Sequence, residues 1–538
     1  MAFADKTLVL DPSANDAALV TSSQYAVTGN CWRYNTNRHV PAVGREHFVG
    51  TYVYISDDYW TFCPRFAFAA SYLTGRGAGG QEANLGNAFA IDAVSLRIER
   101  SGAINRLTFD GGEHATTIED GSFKVSDAPS DVISIPPRSK VYVTVAGHVA
   151  SGAYRPGLAQ GLRDTFGERV EYGTSSLAAR ALAPDTISAT IPTTDDVYLT
   201  GPVAGFALGW DGRPSVLVLG TSIEEGTGGV RHKCGPLGER GHADYAMTTT
   251  LNATQRLPHL NWSRDDAVAD GINLSGGFAK RADILTSLSN VPVTTVVDFL
   301  GTNDRENDTD SWRSKIVNCV AAVKALLPDV RYVKTTMLPR TSSSDGFRTV
   351  VNQRQTGEWA SYPSAAATQV DNWIMTGDSG ADVAFDIREY WDGQGSTGTC
   401  GKFRADFKGD FSTTLPFAIS LGSVTIQLNA LPELGTVLVV DPRGMPEVRT
   451  VFSHGSISSD GPYFVQMSGV EAAAFEHAHP CGVAVVEAII EDGTHPSWPM
   501  SREIGPLEGA AMKAAGVVAS GLRLPRTETA RCVPPTSA

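Results

Sequence analysis

The sequence has no cluster of lysine and arginine, no CxxC pair of cysteines and no apolar run long enough to cross a bilayer. It contains 44 basic and 58 acidic residues, and the formal net charge of -14 disfavours a nucleic-acid backbone or an anionic membrane surface as the main partner. The first residues lack a basic segment followed by a long apolar run, so we expect no secretory signal and no membrane insertion.

The cysteines are scattered and odd in number, which argues against a disulfide scaffold or a zinc ribbon. A single bridge between Cys31 and Cys63 stays open. His477, His479 and Cys481 alternate along the chain and could share one face of a strand, but a proline interrupts them and no fourth ligand is evident. The sequence therefore predicts neither a metal site nor a cofactor.

The chain of 538 residues is too long for one ordinary core, because single hydrophobic cores stop growing at roughly 250 to 300 residues. Short alternating runs and turn residues predominate at the start, which predicts a β-rich domain of sandwich or jelly-roll type over residues 1–205. Aromatic residues are dense there, and burial statistics favour core packing over a sugar-stacking surface. They are Trp32, Tyr34, Tyr52, Tyr54, Tyr59, Trp60 and Phe62.

Near residue 213 the pattern changes to that of an α/β domain. The run PSVLVLG is continuously apolar and ends in glycine, which is typical of a strand buried on both faces of a parallel sheet. Two similar runs, residues 291–301 and 330–339, flank a segment whose apolar residues recur at helical spacing, and this order predicts a βαβ unit. The helical positions are Ile316, Val320, Val323 and Leu327.

Residues 401–486 return to short strands joined by turn signals, which predicts a small all-β insertion. Residues 502–522 follow it; they are rich in alanine and predict a terminal helix despite their glycines. We therefore predict that residues 206–400 and 487–538 together form one α/β domain with a parallel sheet, which the insertion interrupts.

Three segments of the predicted α/β domain carry polar residues suited to chemistry. Ser222 follows a buried strand two residues beyond Gly220, at the carboxyl edge of a sheet, where open α/β folds bind ligands. Asn303 also follows a buried strand, and its carboxamide can donate to an oxyanion. Asp492 lies three residues before His495 and can orient the imidazole as a base. A helix cap, an Asx turn and a solvated loop pair are the ordinary alternatives.

Four blocks in order make the sequence resemble the SGNH (GDSL-like) hydrolase family. They are Gly-Thr-Ser-Ile at 220–223, Asn-Leu-Ser-Gly-Gly at 273–277, Gly-Thr-Asn-Asp at 301–304 and Asp-Gly-Thr-His at 492–495. The resemblance covers roughly residues 210–400 and 487–525, and it implies a three-layer α/β/α fold with a parallel sheet.

By this resemblance, Ser222 is the nucleophile, His495 the general base and Asp492 the partner that orients the base. Two further residues are candidates for substrate contact. Arg305 could reach the substrate or pair with a neighbouring acidic side chain, and Trp498 could pack on an acyl or sugar group or anchor the last helix.

The resemblance also implies an oxyanion hole. Its donors would be the backbone N–H groups of Ser222 and Gly276 and the side chain of Asn303, with Gly277 as the alternative to Gly276. The sequence departs from the family's usual pattern at Thr221, which stands where an aspartate commonly precedes the nucleophile.

The family resemblance implies an esterase for short acyl groups, often acetyl groups on sugars, that works through an acyl-serine intermediate without a metal or cofactor. The additional β-rich regions favour an acylated carbohydrate polymer as substrate. A non-catalytic glycan-binding or structural virion protein on the same scaffold is the alternative from another class. Acyl transfer to a second sugar also stays open.

The predicted insertion resembles small β modules of phage virion proteins, which would make the chain a virion-associated or phage-encoded esterase. The localisation stays open between virion-associated and cytoplasmic. The pattern that carries this resemblance consists of His479, Gly482, Val483, Val485 and Val486.

Overall fold

The structure is a computed structural model and describes residues 25–41, 43–75, 80–99, 101–159, 162–163, 166–187, 199–226, 234–248, 256–274, 276–288, 293–343, 353–360, 363–391, 412–415, 418, 425–428, 437–440, 447–456, 463–468, 484–487 and 498–516. Asp492, His495, His477, His479 and Cys481 lie outside these ranges, so what the sequence predicts for them stays a prediction. Within the described ranges, no helix combines the length and apolarity that a membrane span needs.

The described residues of the N-terminal region form strands, one short α-helix and a 3-10 helix at Pro184–Thr186. They are β1 (Ala26–Val27), β2 (Trp32–Arg33), β3 (Asn35–His39), β4 (His47–Ile55), β5 (Thr61–Ala69), β6 (Ser71–Leu73), β7 (Glu82–Asn84), β8 (Phe89–Ile98), β9 (Ile104–Arg106), β10 (Thr116–Ile118), β11 (Phe123–Val125), β12 (Ser134–Ile135), β13 (Lys140–His148), β14 (Arg155–Leu158), β15 (Arg169–Gly173), α1 (Ala178–Ala181) and β16 (Ala204–Leu208).

Two antiparallel sheets dominate this region. One has the order β1-β16-β5-β11 with β12 also on β5, and the other has the order β10-β8-β13-β4-β15 with β9 on β8. Side chains from both sheets belong to one core cluster. Trp32, Tyr34, Tyr52 and Tyr54 are fully buried in it, and Trp32 stacks on Tyr52 with ring centroids 5.0 Å apart, whereas Trp60 is 38% exposed. The core interpretation of these aromatic residues is thereby confirmed for most of the set.

The α/β region follows directly. Its elements are β17 (Val216–Leu219), α2 (Ser222–Glu225), α3 (His242–Thr248), β18 (His259–Asn261), α4 (Ala269–Asn273), α5 (Ala279–Thr286), β19 (Thr295–Asp298), α6 (Thr309–Leu326), β20 (Arg331–Thr335), β21 (Thr341–Ser343), β22 (Gln353–Gln355), α7 (Ala366–Met375), β23 (Val383–Phe385) and α8 (Arg388–Trp391).

A parallel sheet organises this region, with the order β2-β18-β17-β19-β20-β23. Strand β17 lies inside it and is buried on both faces: Leu217 and Leu219 belong to one core cluster, and Val216 and Val218 belong to another. This is the reason for its continuous apolar sequence. The predicted βαβ unit is confirmed as β19-α6-β20, with Ile316, Val320, Val323 and Leu327 all buried.

The parallel sheet also takes one strand from the N-terminal region. Trp32 and Arg33 of β2 pair in parallel with Leu260 and Asn261 of β18. Two residues are too few to show a periodic pattern, and therefore the sequence gives no sign that this strand joins the second sheet.

One open alternative from the sequence is wrong. Cys31 is a buried thiol outside any disulfide, whereas Cys63 is disulfide-bonded, so the two do not bridge each other. The Cys31 backbone N–H donates to Nε2 of His259 over 3.2 Å, which holds this cysteine against the parallel sheet. Cysteine spacing alone does not reveal such tertiary contacts.

A further large sheet is antiparallel and has the order β24-β29-β26-β27-β28-β25. Its strands fall in the segment where the sequence predicts short strands, while the exact domain boundaries and the virion setting remain predictions. The elements are β24 (Ser412–Thr414), β25 (Thr425–Leu428), β26 (Val437–Val440), β27 (Glu447–Ser456), β28 (Tyr463–Ser468), β29 (Ala484–Glu487) and, after the sheet, α9 (Trp498–Ala514).

Helix α9 packs on α3 at very short range. A Cβ atom at Gly509 would lie 2.1 Å from the carbonyl oxygen of Ala246, and one at Gly505 would lie 2.5 Å from the carbonyl oxygen of His242. Glycine costs roughly 1 kcal/mol of helix propensity, but here its missing side chain permits the close approach of the two backbones. The predicted terminal helix is therefore present, and packing accounts for its glycines.

Candidate active site

Ser222 is the first residue of α2. It lies three positions beyond the end of β17, which is an inner strand of the parallel sheet. It is largely buried. A Cβ atom at Gly220 would lie 2.6 Å from Cβ of Glu224, so the turn between strand and helix requires glycine there. At the start of a helix the backbone N–H groups have no partner within the helix, which makes this a position suited to an oxyanion.

Thr221 caps α2. Its backbone N–H donates to Oε2 of Glu224 over 2.7 Å, and its hydroxyl oxygen accepts from the N–H of Ile223 over 3.4 Å. Together these contacts form a capping box. Thr221 therefore has a structural part in fixing the turn that carries Ser222.

Asn303 lies at the same edge of the sheet as Ser222. It follows β19, which pairs in parallel with β17 so that Leu219 is opposite Asp298 at the strand ends. Its Nδ2 donates to the carbonyl oxygen of Ala267 over 3.1 Å, and its Oδ1 accepts from Nη2 of Arg340 over 3.1 Å. The carboxamide is thus oriented with its nitrogen away from the guanidinium group. A carboxamide nitrogen carries two N–H groups, so it can serve a second acceptor.

Buried side chains hold the backbone of the loop that carries Asn303 through hydrogen bonds. Nζ of Lys334 donates to the carbonyl oxygens of Asp298 and Leu300 over 3.1 and 2.6 Å, and the indole of Trp312 donates to the carbonyl of Gly301 over 3.0 Å. Burial raises the pKa of Asp298, which Lys334 opposes from 3.5 Å. These contacts fix the backbone immediately before Asn303.

The residue after Asn303 links this loop to α4. The carboxylate of Asp304 accepts from the backbone N–H groups of Ala269 and Asp270 over 2.7 and 3.0 Å, and burial raises the pKa of Asp304 to about 6. Helix α4 precedes the glycine pair of the second motif block, so the second and third blocks are connected.

The two glycines of the second block differ in their surroundings. Gly276 is exposed, has a φ of 78°, and would have no atom within 4 Å of an added Cβ. The N–H of Gly277 already donates to the carbonyl of Leu274 over 2.7 Å. This difference favours Gly276 as the candidate oxyanion donor.

A network of buried ionisable side chains contacts the turn that carries Ser222 through Glu224. Nε2 of His242 is 3.1 Å from Oε1 of Glu224, and its Nδ1 is 2.8 Å from Oε2 of Glu508 in α9. Burial by itself would lower the pKa of His242, but Glu508 and then Glu224 more than offset this and raise it to about 10. An imidazolium between two carboxylates thus connects the capping box of α2 to the terminal helix.

Arg305 and Trp498 are the two residues that the sequence suggests for substrate contact, and the structure describes only the first of these side chains. Nε of Arg305 lies 3.8 Å from a carboxylate oxygen of Glu358, and the arginine side chain is 33% exposed, which agrees with the ion-pair alternative. Trp498 begins α9, and its side chain is outside the part of the chain that the structure describes. Its proposed substrate contact stays a prediction.

A small cavity lies where the N-terminal region meets the parallel sheet. Its wall includes Gly220, beside the turn of Ser222, and Ala267, whose carbonyl contacts Asn303. Leu73 and Gly80 of the N-terminal region also line it, so both regions contribute to this cavity. The remaining lining residues are Leu219, Trp262, Arg264, Val268, Ile272, Arg281 and Leu300.

Sequence reasoning missed four residues of this arrangement. The Thr-x-x-Glu pattern at 221–224 is a capping-box signature and could have identified Glu224. Arg340 follows the buried strand β20 at the same sheet edge, which is a weaker signal. His242 and Glu508 are 266 positions apart, and their meeting has no local signature.

No family model matches the sequence, and no curated protein matches it. Among solved structures, the chain is similar to a carbohydrate esterase family 2 enzyme with a carbohydrate binding domain from Corynascus thermopiles (Myceliophthora fergusii), at 13% identity over 67% of this chain and 89% of that chain, with a TM-score of 0.24. It is also similar to a possible lipase from Chitinophaga pinensis, at 13% identity over 56% of this chain and 99% of that chain, with a TM-score of 0.27.

A salicylyl-acyltransferase from a tetracycline biosynthetic pathway is a further match, at 11% identity over 88% of this chain and 82% of that chain, with a TM-score of 0.27.

Proposed function

We propose that this protein is a serine esterase that hydrolyses short acyl esters, such as acetyl groups on a carbohydrate, with Ser222 as the nucleophile. The observation that carries the proposal is the position of Ser222 and Asn303 after neighbouring parallel strands at one edge of the sheet. The nucleophile must reach the carbon and the oxyanion donor the oxygen of one carbonyl group, and this arrangement supports that requirement.

In the proposed reaction, Ser222 attacks the ester carbonyl while His495, oriented by Asp492, accepts the hydroxyl proton. The N–H groups of Ser222 and Gly276 and the carboxamide of Asn303 hold the oxyanion. His495 then donates its proton to the leaving alcohol, and water releases the acyl group from Ser222 by the reverse sequence. The chain's own residues would supply the nucleophile, the base and the oxyanion donors, and water would accept the acyl group in the second step.

The buried network supports this proposal through positioning. Glu224 accepts from the N–H of Thr221 and also contacts His242, so the charge on His242 holds the Glu224 side chain that completes the capping box of α2. Because His242 also contacts Glu508, the same network holds α9, which begins three residues after His495. We infer that this network fixes the position of the turn that carries Ser222 relative to helix α9, which follows His495 in the sequence.

The test is hydrolysis of p-nitrophenyl acetate and butyrate by the wild type and by Ser222→Ala. We expect kcat to fall at least about 1,000-fold in the variant with its fold intact. Ser263→Ala is a matched control, since Ser263 is a buried serine just beyond the neighbouring strand β18. A fluorophosphonate probe should label the wild type and the control but not Ser222→Ala.

An inactive wild type that the probe also fails to label would overturn the proposal in favour of the non-catalytic glycan-binding alternative. If the wild type is active, acetate release from acetylated polysaccharides, measured with and without an added sugar acceptor, separates hydrolysis from acyl transfer.

A further inference from the structure

Three potential metal ligands lie together on the second N-terminal sheet, which carries none of the candidate active-site residues: His47, Asp92 and His148. His47 and His148 are directly opposite each other in the antiparallel pair of β4 and β13, and their ring centroids are 5.1 Å apart. Opposite residues in such a pair have Cβ atoms only about 4.5 to 5.5 Å apart, so both imidazoles project from one face of the sheet.

Asp92 reaches the same place because of a β-bulge. Strand β8 pairs with β13 through Ala93 opposite Ala146 and Ile91 opposite Gly147, so Asp92 is the extra residue between them. Bulges of this kind redirect a side chain out of the regular alternation. The carboxylate oxygens of Asp92 lie 2.9 and 3.1 Å from Nδ1 of His148.

The ring of His47 gives a second, independent indication of a ligand at this place. Its Nδ1 is buried and has no hydrogen-bond partner among the described residues. A buried ring nitrogen without a partner is costly, because its hydration is lost and not replaced. The side chains of His148 and Asp92 are 42% and 19% exposed, so the group is accessible from solvent.

We propose that His47, Asp92 and His148 bind one divalent transition-metal ion of the zinc type, at a site separate from the proposed esterase centre. One ligand atom from each residue lies within 4.8 Å of the other two. Tetrahedral zinc with nitrogen and oxygen ligands requires about 3.3 Å between ligand atoms, so small side-chain rotations suffice. Imidazole and carboxylate are suitable ligands for such ions, and water would take the fourth position.

The bound ion would join β4, β13 and β8, which are consecutive neighbours in the sheet. Its consequence is therefore stabilisation of the N-terminal region.

The experiment is Zn²⁺ titration of the full chain, freed of metal by a chelator, against a chromophoric zinc indicator at pH 7.5, together with thermal unfolding with and without Zn²⁺. We expect one tight equivalent in the wild type and a Zn²⁺-dependent rise in Tm. His47→Ala and Asp92→Asn should each weaken binding at least about 100-fold and abolish the rise in Tm. Asp92→Asn retains the shape of the side chain and guards against misfolding.

Three controls should retain the tight equivalent. His114→Ala removes an exposed histidine of the same region, Cys31→Ser alters the buried group of Cys31, Asp244 and His259, and His477→Ala tests the histidine that the sequence singled out. Zinc binding that is absent from the wild type, or that survives in both His47→Ala and Asp92→Asn, would overturn the proposal. The zinc experiment measures metal binding and Tm and not esterase activity. A failure of the zinc proposal can therefore be distinguished from a failure of the proposed esterase function.

Discussion

Replacing His242 with glutamine tests the buried network most directly. His242 is fully buried, with ring nitrogens 3.1 and 2.8 Å from carboxylate oxygens of Glu224 and Glu508. Its pKa is raised to about 10, so at neutral pH it carries a positive charge between two negative ones. Glutamine occupies similar space but carries no charge, which leaves two buried carboxylates without their cation.

Removing one partner of a buried ion pair costs about 3 to 5 kcal/mol, because the remaining charge is left uncompensated. For a cooperative unit of roughly 150 to 250 residues, each kcal/mol lowers Tm by about 2 to 4 °C, so the transition of the α/β region should fall by about 6 to 20 °C. Scanning calorimetry of wild type and His242→Gln at pH 7 measures this directly.

The pH dependence gives a second readout. A histidine whose pKa is higher in the folded than in the unfolded state contributes stability that is complete below about pH 6.5 and disappears as the pH rises through about 10. The difference in Tm between wild type and His242→Gln should therefore shrink between pH 7 and pH 10.

Two comparisons make the test specific. The double variant His242→Gln/Glu508→Gln removes one of the stranded carboxylates and should regain part of the lost stability, giving a coupling energy between neighbours. His114→Gln changes an exposed histidine and should leave Tm unchanged. A loss below about 1 kcal/mol for His242→Gln, or a difference in Tm that stays constant up to pH 10, would refute the reasoning.

Three further predictions concern the site and its support. Asn303→Ala should lower kcat for p-nitrophenyl acetate by about 100- to 1,000-fold with little change in KM, and a change confined to KM would argue against an oxyanion role. Arg340→Gln should lower kcat by about 10- to 100-fold by freeing the carboxamide of Asn303, and full activity would show that the 3.1 Å contact is not needed for positioning. Gly509→Ala places a Cβ 2.1 Å from a backbone carbonyl of α3 and should cost about 1 to 3 kcal/mol in calorimetry, whereas Leu507→Ala on the exposed face of α9 should cost far less.

The sequence by itself determined the elements whose patterns are local. Each segment's apolar pattern follows from the surface that the segment buries, and a few consecutive residues are enough to show that pattern. Examples are the apolar runs of β17 and β19, the helical spacing in α6 and the alanine-rich sequence of α9. The same patterns put Ser222 and Asn303 at strand ends. The roles of Asp492 and His495 still depend on the sequence alone.

Only the tertiary structure decided which segments meet. The pairing of β17 with β19 places Ser222 and Asn303 at one sheet edge. The contact of His242 with Glu508 spans 266 positions, and the bulge at Asp92 brings it to His148. Such contacts depend on strand register, helix packing and burial between distant segments, which no single stretch of sequence encodes, and therefore they could be found only once the chain was folded.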